Sequence, residues 1–151
     1  MADPSATLTP KLVDSLYVEA MVLADEARAY FDQHGRSDRM ELDPLVRVGF
    51  SCESLKVTTR LMHVVAWLLT QRAVAAGELA EDQARRPERQ LGEPVLSDED
   101  VVEQLPEAAV SLIRSSQDLF ERVRRLEEGS AVEAPPASPA RSLLSRLERS
   151  L

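Results

Sequence analysis

Along three stretches of this chain apolar residues recur three and four positions apart, the spacing that gathers them on one face of an α-helix. In the first stretch Leu12, Leu16, Ala20, Leu23, Ala27, Tyr30 and Phe31 form such a face. Thr9-Pro10 precedes it, with a hydroxyl available as N-cap and a proline whose missing N–H costs nothing at the first helical position. Gly35, directly after His34, supplies a stop. A first helix is predicted over about residues 10–34.

After the polar connection GRSDRMEL, Asp43-Pro44 repeats the start signal, and no proline intervenes before Gly77. This predicts a second helix from about 44 to 76. In the third stretch Ser97, with Asp100 three residues on, resembles a capping box. Pro106 marks a kink or restart. Ala109, Leu112, Ile113, Ser116, Leu119, Phe120, Val123 and Leu126 then make a third stripe, closed by Gly129.

Three long helices joined by loops predict an all-α fold, an antiparallel three-helix bundle over residues 1–129. Residues 1–8 read as a frayed leader. Pro87, Gly92 and Pro94 make 83–96 a mobile, solvated loop. The linker SAVEAPPASPA has too little apolar area to offset its ordering entropy and opens a flexible tail, 130–151. Within that tail Leu143, Leu144, Leu147 and Leu151 share a face, with Arg141, Arg146 and Arg149 off it. A segment this short is marginal as a free helix, so its leucines need a partner surface.

Composition narrows the function classes. A chain of 151 residues fits one domain with a real core. The 26 acidic against 18 basic residues, net −8, argue against nucleic-acid binding, because phosphates repel an acidic surface. Three arginines against ten acidic residues between Glu78 and Glu107 account for nearly all of that excess. Cys52 is the single cysteine, and the start MADPSATLTP lacks the basic and apolar regions of a signal peptide, which points to a reducing cytoplasm. No window approaches the roughly 18–20 uncharged apolar residues needed to span a bilayer, so no membrane segment is expected.

The second helix is the most informative. On a wheel of 100° per residue, Val57, Leu61, Val64, Leu68, Val65, Leu69, Met62, Leu55 and Ala66 span about 200°, wider than the stripe of about 100° that a surface helix needs. A central helix follows, with Val57, Leu61, Val64 and Leu68 in the core or at a dimer interface. The remaining arc holds Lys56, Arg60, His63, Trp67 and Gln71, a candidate partner-binding surface, since Trp and Arg are enriched in binding hot spots. The competing reading packs Trp67 sideways against the core edge, its indole N–H reaching a polar group.

Catalytic patterns are missing from the sequence. His34 and His63 fall on different helices with no Cys/His cluster of metal-ligand spacing. There is no Gly-rich phosphate loop, G-x-S-x-G elbow or H-E-x-x-H motif. Neither enzymatic activity nor a cofactor is expected. His63, in mid-helix, also admits an alternative as a phosphorelay residue on a helical bundle, and a purely structural dimer is a third reading.

The stretch FSCESLKVTTRLMHVVAWLLTQRAVAAGEL, Phe50 to Leu79, resembles the bacterial RcdA family, the regulators of CtrA degradation. That resemblance implies a three-helix bundle that dimerises and acts as a non-enzymatic adaptor, helping a ClpXP-type protease destroy cell-cycle regulators. It further implies protein partners, among them a response-regulator-like adaptor and a cyclic-di-GMP-responsive protein, and a scaffolding mechanism that raises the substrate's effective concentration at the protease.

Overall fold

The computed structural model describes residues 8–133, all helices and connections, with no strand among the described residues. The tail leucines and arginines of 141–151 and the leader before Leu8 lie outside the described residues.

Helix α1 (Pro10–Ala29) starts as its sequence predicts: the Thr9 hydroxyl accepts a hydrogen bond from the Leu12 amide at 3.1 Å, and Pro10 occupies the first turn. The end differs from expectation. The helix loosens into a π-turn, Tyr30–His34, and Gly35 continues into a short helix α2 (Arg36–Met40). Gly35 has φ −86°, so it is no left-handed stop. A glycine is needed there for space, because a Cβ would lie 2.7 Å from the Tyr30 carbonyl oxygen. The close approach lets the Tyr30 hydroxyl donate to Asp38 at 2.8 Å.

Helix α3 (Pro44–Ala75) runs unbroken, and Gly77 at φ +75° ends it in the left-handed conformation that favours glycine. The segment between it and the last long helix is not a bare loop. It carries α4 (Glu81–Ala84), a 3-10 turn (Pro87–Arg89) and α5 (Glu99–Val102), and it buries Ala84, Leu91 and Val102. Apolar side chains at these positions tie the segment down despite its prolines and glycine. Asp98, one residue later than expected, caps α5 by accepting from the Asp100 amide, while Ser97 turns inward. Pro106 then acts as a restart for α6 (Glu107–Glu133). That helix passes through Gly129, where a helical glycine costs only about 1 kcal/mol relative to alanine.

Helices α1, α3 and α6 enclose one core, from Leu16, Ala20 and Leu23 through Val57, Val64 and Leu68 to Ile113, Leu119 and Val123. Tyr30, Phe31 and Phe50 close one end, with ring centroids 5.2–6.1 Å apart. The helix directions correct the sequence expectation in one pairing. Asp14 with Arg72 at one end and Phe31 with Phe50 at the other make α1 and α3 antiparallel. The Glu19–Arg122 ion pair and the shared lining of Glu26 with Arg114 make α1 and α6 antiparallel too. So α3 and α6 run parallel, with Arg60 level with Ser116. A parallel pair requires the chain to return along α3 before α6 begins, and the connector makes that return: Val95 lies beside Arg60, Asp98 beside Glu53 and Val101 beside Gly49.

Candidate functional site

The buried stripe of α3 is Phe50, Glu53, Val57, Arg60, Leu61, Val64, Trp67 and Leu68. Two of the five residues expected on a docking surface are therefore inside. Arg60 is 1 % exposed and Trp67 3 % exposed, the packed-edge alternative in the case of Trp67. Lys56, His63 and Gln71 are half-buried at the margins, so the five do not converge on one open patch. Val57, Leu61, Val64 and Leu68 are buried within the single chain as core, not left free for a second one.

The reason lies in the connector. Each of Arg60's three guanidinium nitrogens donates a hydrogen bond: to the Val95 carbonyl at 3.0 Å, the Ser97 hydroxyl at 2.6 Å and the Ser116 hydroxyl at 3.2 Å. One turn-pair earlier Glu53, 1 % exposed, accepts from Lys56 Nζ at 2.9 Å and from the Asp98 amide at 3.2 Å, both on Oε2. Burial pushes the Glu53 carboxyl up, but hydrogen bonding by Ser97, Lys56 and the Asp98 amide outweighs it and holds the group below its ordinary value. Desolvation lowers the Arg60 guanidinium, against the opposing pull of Glu53. Polarity on a helical wheel marks a residue as outward-facing only when no other segment brings it partners, and here a segment some forty residues away does so. Glu53 could have been found from its spacing: with Arg60 and Trp67 it repeats every seven residues on one stripe.

Most of what faces outward on α3 is apolar. Leu45 is 86 % exposed, Leu55 67 % and Met62 65 %, with Val48, Cys52, Ala66 and Leu69 also exposed. Beside this stripe, α1 and α3 frame a groove of about 590 Å³ lined by Met21, Ala24, Phe31, Met62, Val65 and Leu69, with Arg28 and Asp32 among its polar lining residues. Exposed apolar surface of this extent is characteristic of protein–protein contact. Among the described residues no helix is long and apolar enough to cross a membrane. His63 carries a buried Nδ1 without a hydrogen-bond partner.

Comparison with known proteins adds identity to this geometry. The family described as "Protein of unknown function (DUF1465)" matches residues 5–151. No curated protein matches the chain. Among solved structures, the crystal structure of RcdA from Caulobacter crescentus CB15 is similar, with 35% sequence identity and a TM-score of 0.63, covering 82% of this chain and 92% of that one. A match spanning nearly the whole sequence, joined to that identity over a shared helical fold, means that the chain belongs to the RcdA family.

Proposed function

We propose that this protein is a non-enzymatic, cytoplasmic adaptor in regulated proteolysis, which holds cell-cycle regulators for a ClpXP-type protease and works as a homodimer. Membership of the RcdA family supports the adaptor role. The observation that carries the docking side of the reading is the exposed apolar face of α3. Its members, Leu45, Val48, Cys52, Leu55, Met62, Ala66 and Leu69, together with the half-buried Thr59 between them, alternate three and four apart, the spacing of a coiled-coil seam.

The seam is self-complementary. With two copies antiparallel about a two-fold axis, Val48 faces Ala66, Cys52 faces Met62 and Leu55 faces Thr59 of the other copy. A larger side chain meets a smaller one at each of these layers, which lets the two helices approach closely. Substrate and protease assembly then engage the remaining faces of a rigid pair, and no bond chemistry is required of the chain.

Two measurements test this. Sedimentation at tens of micromolar should give a dimer mass, reduced to a monomer by Leu55→Lys/Met62→Lys with the thermal midpoint kept, since both sites are solvent-facing. A monomeric wild type refutes the seam. Addition of the protein to a ClpXP-type protease already loaded with its response-regulator-like adaptor should yield a co-migrating complex on size exclusion. Separate elution at tens of micromolar refutes the adaptor role.

A further inference from the structure

The connector crosses the face of α3 as an extended strand of chain, and α3 holds it as a binding protein holds a peptide. Residues 93–97 lie outside any helix or sheet, and Asp98 begins α5 as its N-cap. Three polar groups of the crossing go to side chains of α3: the Val95 carbonyl and Ser97 hydroxyl to Arg60, and the Asp98 amide to Glu53. Leu96 points away and is exposed. Apolar anchors are confined to the ends of the crossing, at Leu91 and Val102. Between those anchors two buried charges, not hydrophobic contact, do the holding.

Buried charged residues are a poor means of stability alone, since well-packed apolar residues of the same volume often serve as well or better. They are an effective means of specificity, because a ligand that fails to satisfy them leaves a charge stranded.

We propose that Arg60, Glu53 and Ser116 form a peptide-binding site that the connector occupies in cis, and that its partner is another protein presenting an extended segment with Ser or Thr at the Ser97 position, a free backbone carbonyl two residues before it and a free amide one residue after it. A tethered occupant acts at an effective concentration on the order of millimolar, so the partner segment enters only when it is itself delivered at high local concentration. The site lies on the opposite side of α3 from the apolar seam, and it stands on this geometry, independently of the adaptor reading.

The test uses the full chain and a fluorescein-labelled peptide EPVLSDED, the sequence of residues 93–100. Leu91→Ser/Ser97→Ala, which removes one apolar anchor and the hydroxyl held by Arg60, is designed to free the connector. The freed variant should bind the peptide at least ten-fold more tightly than wild type by fluorescence anisotropy, and Arg60→Met in the freed variant should abolish binding. Equal binding by the Arg60→Met form, or no binding by a freed variant of native circular dichroism, overturns the proposal. Hydrogen exchange of the wild type gives a second reading that needs no substitution. The Asp98 amide should exchange at least ten-fold faster than the amides of α3 around Val64, through an opening of the connector alone. Exchange of both at one rate means the connector opens only on global unfolding, and likewise overturns it.

Discussion

Replacing Trp67 by alanine separates a core residue from a docking residue more sharply than any other single change. The indole is 3 % exposed in the chain, and it belongs to the same cluster as Leu68, Phe120 and Val123. Truncating a buried Phe or Trp to Ala costs about 3–5 kcal/mol, combining lost transfer energy with the cavity left behind. Against a total stability of about 5–15 kcal/mol for a domain, that is a large fraction. With a urea m-value of about 2 kcal/mol/M, the midpoint falls by roughly 1.5–2.5 M. The assay is urea unfolding followed by far-ultraviolet circular dichroism, since the substitution removes the only tryptophan. A midpoint shift below about 0.3 M, together with loss of partner binding by folded protein, would show that Trp67 serves a partner and that its burial is of no consequence to the fold.

The connector offers two further tests. Gly49→Ala places a Cβ against Val101 Cγ1, closer than real contacts allow, so the Val101 side chain or α5 with it must shift; overpacking of this kind costs about 1–3 kcal/mol, and an unchanged urea midpoint would refute the tight approach. Glu53 is held below its ordinary pKa, so the folded state favours its charged form: its contribution is complete above the ordinary carboxyl value of about 4.3 and is lost as pH falls through the lower folded value. Glu53→Gln should therefore flatten the acid limb of the stability–pH profile, and an unaltered limb would discount the carboxylate's role. Tyr30 behaves oppositely at high pH. Burial and then the Asp38 hydrogen bond push its phenol well above the usual value, so stability is complete below about 10 and declines as pH rises beyond it, a decline that Tyr30→Phe should remove.

Start signals with a local mechanism were legible: Thr9-Pro10, Asp43-Pro44 and the left-handed Gly77 lie where the chain alone places them. Each depends on neighbours within four residues. What escaped the sequence depends on distant chain. The inward turn of Arg60 needs Val95 and Ser97, and the parallel course of α3 and α6 follows from where the connector is anchored, which Leu91 and Val102 decide without any periodic pattern. The second helix carries apolar residues over so wide an arc that periodicity cannot choose its inner side. A uniformly broad arc is itself the signature of a helix with a core on one side and an unfilled seam on the other.

The parallel course of α3 and α6 also fixes where the chain begins and leaves the bundle. Continuing the pairing of Glu19 with Arg122 brings Glu133 level with Leu8, at the pole where α3 ends in Gly77. The two ends of the described chain thus share a pole, and a short linker can join them. Circular permutation becomes feasible, with new termini cut at Gly92, whose φ of +89° marks an exposed turn. In such a permutant the crossing segment starts at a free end and is kept against α3 by Arg60, Glu53 and the Val102 anchor alone, no longer tethered through Leu91.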